Sequence, residues 1–183
     1  MVVQVILIIW LILAIVIAKL GVLKEIPPVS IQIILFALTL LCILSYLLSI
    51  KFREFINRIG VKGILIFHLV RFVGFYFLYL YSLNRLPYDF AVKGGWGDIA
   101  VAVFASVILM VPVLLQRKGI LLAWNIFGLI DIIFVVATAG RINMSNPGEL
   151  FELTVLPLSL LPTFVVPLII STHVFMFHLL KKK

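Results

Sequence analysis

Residues Ile120–Ala139 read ILLAWNIFGLIDIIFVVATA, an apolar run with a single charged residue, Asp131. A helix needs about 20 mainly apolar residues to cross the roughly 30 Å hydrocarbon layer of a bilayer, and this run has that length. The whole chain has 183 residues, of which 64% are hydrophobic and 12% are charged. Soluble domains are about half apolar and about a quarter charged. The sequence therefore predicts an integral membrane protein.

Further apolar runs lie on both sides of this stretch. They are Val2–Ala18, Ser30–Ile50, Gly63–Leu83, Ile99–Leu115 and a last run that ends at Leu180. The first run lacks the basic residues that open a secretory signal, so we expect it to be a membrane helix. The pattern predicts an all-α membrane protein, a bundle of six transmembrane helices that forms a single domain over residues 1–183.

Charged and glycine-rich segments separate the runs. Residues 51–62, KFREFINRIGVK, predict a short amphipathic connector at the membrane surface. Residues 84–98, NRLPYDFAVKGGWGD, combine proline and glycine and predict a loop. Asp98 ends that loop, where we expect it to cap the amides of the fourth helix. Residues 140–149, GRINMSNPGE, predict the loop before the last span.

The segment from Pro147 to Leu180 is too long for one span at about 1.5 Å per residue. Pro157, Pro162 and Pro167 interrupt it. We expect a short helix that starts at Pro147, a break near Pro157, and then a last span broken by prolines. The short helix either lies on the outer surface or enters the membrane beside a cavity.

Basic residues give the orientation, because loops on the cytoplasmic side of a membrane are enriched in Lys and Arg. With six spans, both ends lie on the side that holds Lys51, Arg53, Arg58, Lys62, Arg117, Lys118 and Lys181–Lys183. The opposite side holds fewer: Lys19, Lys24, Arg85, Lys93 and Arg141. We expect the inner (cytoplasmic) membrane as the location, with the N- and C-termini in the cytoplasm.

Two charged residues lie inside predicted spans, Arg71 in the third and Asp131 in the fifth. A charge inside a bilayer costs several kcal/mol, so such residues are usually paired and often functional. Both lie about halfway along their spans. We therefore expect Arg71 and Asp131 to form an ion pair near the middle of the membrane.

The fifth span presents a mixed polar face. Trp124, Gly128, Asp131 and Val135 recur at helical spacing, and Asn125 borders them. Glycine on such a face lets another backbone approach closely. The face predicts either a ligand site or a polar contact between helices, and the sequence alone does not choose between them.

Histidines supply a third set of candidates. His68 lies about one helical turn before Arg71, and His173 lies at a similar predicted depth in the last span. Two such histidines predict haem b ligation or proton transfer as one hypothesis. The alternative is that each histidine only forms hydrogen bonds inside the protein. The usual zinc spacings are absent from the sequence, and we expect no metal site.

From Arg71 to His173 the chain resembles a family of small, uncharacterised bacterial multi-pass membrane proteins. The residues that carry the resemblance are Arg71, Gly74, Leu86-Pro87, Phe90-Ala91, Gly95-Trp96-Gly97-Asp98, Trp124-Asn125, Gly128, Asp131, the late prolines and His173. The resemblance implies no established activity, and His68 is not part of its pattern.

Three hypotheses for function follow from these residues. The first is binding or transport of a small polar or anionic solute, with Arg71, Asn125, Asp131 and His173 in a pocket, Trp124 beside it and Asp98 at its mouth. The second is a haem-binding or other intramembrane redox protein. The third is a structural subunit of a membrane assembly. Whether the chain is an enzyme stays open.

The expected partner is the lipid bilayer. A homo-oligomer or partner membrane subunits stay open. We expect no nucleic acid, because most basic residues lie at predicted helix ends rather than in a soluble patch.

Overall fold

The structure is a computed structural model that describes residues 2–181. Over those residues the protein is helical and contains no β-strand, and six of its helices are long and apolar enough to cross a membrane. We number them spans 1 to 6: Val2–Lys19, Pro28–Leu48, Ile50–Ser82, Asp89–Met110, Lys118–Ser145 and Leu161–Lys181. The predicted fold class is therefore confirmed. Lys182 and Lys183, which entered the orientation argument, lie outside the described residues.

Three of the spans are not uniform α-helices. Span 3 consists of an α-helix at Ile50–Phe67, a 3₁₀ segment at His68–Phe72 and an α-helix at Val73–Ser82. Span 4 begins with a π-helical segment at Asp89–Gly94 and continues as an α-helix at Gly95–Met110. Span 6 begins with a π-helical segment at Leu161–Val165, followed by an α-helix at Val166–Lys181. Short helices also lie at Val22–Glu25, Pro112–Gln116 and, as a 3₁₀ turn, Phe151–Thr154.

The chain divides into two compact units. The first consists of the residues up to Phe55 together with Ala139–Ser171. Its interior contacts include the Trp10 indole, whose Nε1 donates to the Thr163 backbone oxygen at 2.9 Å. Ser171 Oγ donates to the Pro167 carbonyl at 2.7 Å, one helical turn earlier, so its hydroxyl is satisfied within its own helix.

The second unit consists of Ile56–Thr138 together with the residues from Thr172 onward. Its apolar core combines side chains from spans 3, 4, 5 and 6, and they are Ile64, Leu65, Val101, Ala105, Ile108, Leu121, Trp124, Met176 and Leu180. Every candidate site residue lies in this unit, from His68 in span 3 to His173 in span 6.

The connector at residues 51–62 is helical and kinked. Gly60 has φ 62° and ψ −173°, which breaks the helix at the point where span 3 leaves its charged first part. A positive φ favours glycine, because a side chain is strained there. Lys51, Arg53 and Arg58 are exposed along this part, which agrees with an amphipathic connector.

The predicted loop at residues 84–98 is wrong over its second half, because span 4 starts at Asp89 rather than Ile99. The glycines that suggested a loop lie inside a helix, where they allow close packing. Span 4 also ends earlier than predicted, at Met110. Val111 is extended, with φ −112° and ψ 95°, as expected for a residue that precedes a proline, here Pro112.

The connection from span 5 to span 6 also differs from the prediction. Span 5 continues through Gly140 to Ser145. Gly140 packs closely inside this helix, since an added Cβ there would lie 2.9 Å from Gln32 Nε2. The helix expected from Pro147 does not form. Gly148 has φ 108°, which is incompatible with helix, and a 3₁₀ turn follows it.

The prediction of a last span broken by prolines is confirmed. The chain forms turns around Pro157 before span 6 starts at Leu161. Its first turn is π-helical and contains Pro162. Proline cannot donate a helical hydrogen bond, which explains why regular α-helix begins only at Val166.

Candidate functional site

Arg71 lies at the centre of a buried charged cluster. Its side chain is 0% exposed, and each nitrogen of its guanidinium donates a hydrogen bond. Nε donates to Asp98 Oδ1 at 2.6 Å, and Nη1 donates to the Gly128 backbone oxygen at 3.0 Å. Nη2 donates to Asp131 Oδ2, so the predicted Arg71–Asp131 pair is confirmed. We call Arg71, Asp98 and Asp131 the Arg71 cluster.

Departures from α-helical geometry lie close to two of these charges. Arg71 itself is in the 3₁₀ segment His68–Phe72, and Asp98 follows the π-helical segment Asp89–Gly94 within one turn. Mid-helix 3₁₀ segments and π-bulges are found often at functional positions, because they redirect the side chains around them. No residue pattern in the sequence predicts either segment.

Asp98 does not cap a helix, contrary to the prediction. Helix continues before it as far as Asp89, so the amides at Asp98 already have partners in the preceding turn. The carboxylate is instead buried and paired with Arg71. The side chains of Asp98 and Asp131 are 6% and 10% exposed, so both carboxylates are largely buried.

Glycines bring the charged residues together. An added Cβ on Gly74 would collide with the Gly95 backbone oxygen, which shows that spans 3 and 4 touch backbone to backbone at this point. An added Cβ on Gly97 would collide with the Asp131 carboxylate. Close approach of this kind requires residues without a side chain. Residues 94–97 of span 4, Gly-Gly-Trp-Gly, therefore pack closely against span 3 and against Asp131 of span 5.

A second polar group lies nearly two helical turns before Asp131 along span 5. Asn125 Nδ2 donates to the His173 backbone oxygen at 3.1 Å, and Asn125 Oδ1 lies 2.8 Å from His173 Nδ1. The Trp124 indole donates to the Val101 backbone oxygen at 3.2 Å. Asn125, Trp124 and His173 are all 0% exposed. The predicted polar face of span 5 thus contacts spans 4 and 6.

The hydrogen bonds of Asn125 define the proton position on His173. Because the Asn125 amide nitrogen donates, its oxygen is the acceptor, so His173 Nδ1 must carry the hydrogen. His173 Nε2 then carries no hydrogen and presents a lone pair. It has no hydrogen-bond partner among the described residues, and neither has His68 Nδ1.

His68 and His173 are brought into direct contact. Their ring centroids are 4.4 Å apart, and His68 Nε2 lies 3.0 Å from Thr172 Oγ1. This spacing does not fit haem b. A haem held by two histidines lies between their rings, and rings in contact leave no room for the flat macrocycle. The haem prediction for this pair is therefore not supported by the geometry.

The Arg71 cluster is linked to the histidines through Gly128. An added Cβ on Gly128 would lie 2.6 Å from His173 Cε1 and 2.9 Å from Nε2. The carbonyl of the same residue accepts the Arg71 bond. The sequence predicts close approach at Gly128, but it contains no signal for the role of this carbonyl or for the Thr172 partner of His68.

Charge balance sets the chemistry available to the cluster. One guanidinium faces two carboxylates, so the Arg71 cluster carries a net negative charge when both acids are ionised. A net charge in a buried site costs several kcal/mol. The cluster therefore has a physical reason to take up one positive charge, and no comparable reason to take up an anion.

Comparisons with known proteins place the chain in a family without adding an activity. No match was found among curated proteins or among solved structures. One family model, Domain of unknown function (DUF8737), matches residues 28–181. The match extends well beyond Arg71–His173 and includes span 2. The model covers most of the chain, and the protein therefore belongs to the DUF8737 family.

Proposed function

We propose that this protein binds a small polar solute at the Arg71 cluster and carries it across the membrane, and that it takes a cation in preference to an anion. The observation that supports the proposal is the excess carboxylate at Asp98 and Asp131, buried around one guanidinium. Burying ionisable groups inside a membrane protein is costly, and they usually mark a functional path.

An anionic solute, which the sequence left open, fits this geometry less well. Nε, Nη1 and Nη2 of Arg71 already donate to acceptors of the protein. An anion would add to the negative charge of Asp98 and Asp131. A cation or a hydrogen-bond donor meets no such repulsion.

Each site residue has a role in this proposal. Asp131 is the solute ligand, because it is the more exposed of the two carboxylates. Arg71 and Asp98 hold the carboxylate in place. Asn125, nearly two turns before Asp131 in span 5, and His173 in span 6 supply hydrogen-bonding groups, and Trp124 packs beside His173.

A structural role is the second candidate, and the same hydrogen bonds favour it. In this second proposal the guanidinium of Arg71, which is hydrogen-bonded at every nitrogen, has no role other than to hold spans 3, 4 and 5 together, as in a subunit of a membrane assembly. The two functions differ in what they require of Asp131. Transport requires its carboxylate to be reached by solute, and a structural role does not.

We further propose that the whole chain acts as one domain in the inner (cytoplasmic) membrane, with both ends in the cytoplasm. The support for this orientation is the larger number of Lys and Arg residues on the side of the predicted ends. Protease or thiol-label protection of tags placed at both ends, in intact cells, tests the orientation. Tags reached from outside the cell would contradict it.

Flux into proteoliposomes tests the transport proposal. Purified protein is reconstituted, and uptake of labelled sodium, guanidinium and phosphate is measured. We expect saturable uptake of at least one of the two cations, loss of that uptake in Asp131→Asn, and none of phosphate. Asp89→Asn is the matched control, because Asp89 is an exposed acid paired with Lys93 on the same span as Asp98. Cation uptake no faster than in protein-free vesicles, or uptake of phosphate alone, would overturn the proposal.

A further inference from the structure

We propose that the Arg71 cluster carries one exchangeable proton, held on Asp131, which keeps the cluster neutral when no solute is bound. This inference rests on the proposed function in one respect only, since it assigns the occupant of the same site in the absence of solute. Its physical basis is the pairing of two carboxylates with a single guanidinium.

The first step of the argument is electrostatic. Asp98 and Asp131 bind neighbouring nitrogens of one guanidinium, so the two carboxylates are close to each other. Two carboxylates that share a buried site do not readily both ionise, because their charges repel in a medium of low dielectric constant. Arg71 neutralises one of them. The other is neutralised by a proton.

The second step places the proton. Asp98 and Asp131 each accept a charge-assisted hydrogen bond from Arg71, so these bonds do not separate the two carboxylates. Their burial does, because the side chain of Asp131 is 10% exposed and that of Asp98 is 6% exposed. We place the exchangeable proton on the more exposed carboxylate. Asp131 is therefore the carrier.

The third step considers the other groups that titrate nearby. His173 Nε2 is a buried lone pair without a described partner, and it lies beside Gly128, whose carbonyl binds Arg71. The His68 ring packs against the His173 ring. Protonating either imidazole would place a second positive charge near the guanidinium. The histidines remain neutral, and His173 Nε2 is an acceptor at the inner side of the cluster.

The exchange is balanced in charge. When a monovalent cation binds, the O–H bond of Asp131 breaks, the proton leaves to water, and the carboxylate that remains holds the cation. No electron transfer and no further reactant is involved. One proton leaves for each cation that enters, so the exchange moves no net charge into the cluster.

Infrared difference spectroscopy of the purified protein tests the inference. Spectra at about pH 5 and about pH 9 are subtracted, because ordinary carboxyl groups are mostly ionised over that range, and the part of the band that Asp131→Asn removes is assigned to Asp131. We expect a carboxylic acid C=O band equal to one group per chain, which shifts in D₂O and is absent in Asp131→Asn. Asp89→Asn keeps the band. Asp131→Glu moves its frequency, which covers the case in which the asparagine variant fails to fold.

Absence of a titrating C=O band, or a band that is lost in Asp98→Asn and kept in Asp131→Asn, would overturn the inference. The test is independent of transport. If the protein shows the Asp131 band but transports neither sodium nor guanidinium, the proton on Asp131 is supported and the proposed transport function is refuted. If it transports a cation but lacks the band, the transport function is supported and the proton on Asp131 is refuted.

Discussion

Replacing Arg71 with leucine should destabilise the protein far more than replacing Asp131 with asparagine. Arg71→Leu leaves Asp98 and Asp131 buried, close together and without a counter-charge. Asp131→Asn leaves Arg71 paired with Asp98, and the asparagine oxygen can still accept from Nη2. Both variants change the contact between Arg71 and Asp131, but only Arg71→Leu removes the counter-charge of the cluster.

The structure gives the expected magnitudes. Breaking a buried pair so that a charge is left unpaired costs about 3–5 kcal/mol. Replacing the Asp131 carboxyl group with an amide whose oxygen still accepts the hydrogen bond costs about 1–2 kcal/mol. The variants should therefore differ by about 1–4 kcal/mol, and a difference of about 1 kcal/mol is already roughly fivefold in the unfolding equilibrium constant.

Equilibrium unfolding in mixed micelles of a mild detergent and dodecyl sulfate, followed by tryptophan fluorescence, measures this difference. Asp89→Asn is again the control. It breaks an exposed pair with Lys93, whose two side chains are 37% and 51% exposed, and should change stability by less than about 1 kcal/mol. Equal losses for Arg71→Leu and Asp131→Asn, or an Arg71→Leu variant as stable as the control, would refute the reasoning.

Three further variants test the packing of the site by the same unfolding assay. Gly74→Ala should cost about 1–3 kcal/mol, because its Cβ would meet a backbone oxygen of span 4. Gly128→Ala should cost a similar amount, since its Cβ would lie 2.6 Å from His173 Cε1. Gly119→Ala is their control, with nothing within 4 Å, and if it is as damaging as the other two, close packing is not the cause. Asn125→Leu should cost about 1–3 kcal/mol by leaving two buried groups of His173 unbonded, and a neutral result would contradict the hydrogen bonds described.

The sequence was sufficient to predict the spans because an apolar run of about 20 residues matches the thickness of the bilayer and is rare in other structures. It was also sufficient for the Arg71–Asp131 pair, since an unpaired charge inside a bilayer is costly and these two opposite charges lie at similar depth in their helices. The break around Pro157 followed from proline chemistry.

The misplaced features depend on tertiary contacts. Gly95 and Gly97 read as a loop because glycine is common in turns, whereas here they allow span 3 and Asp131 to approach. With the loop misplaced, Asp98 fell at a helix start and was interpreted as a cap. The His68–His173 contact depends on rotation of spans 3 and 6, which similar depth along each helix does not fix.

The central claim, that the Arg71 cluster is a solute site and not only a contact between helices, is tested most directly by the accessibility of Asp131. Cys42, the only cysteine of the chain, is replaced by alanine, and a cysteine is introduced at Asp131 or, as the buried control, at Ala102. Reconstituted protein is then treated with a small, charged, water-soluble thiol reagent. We expect rapid labelling at position 131 and none at 102. Labelling at 131 as slow as at 102 would contradict it and would leave the cluster a packing element.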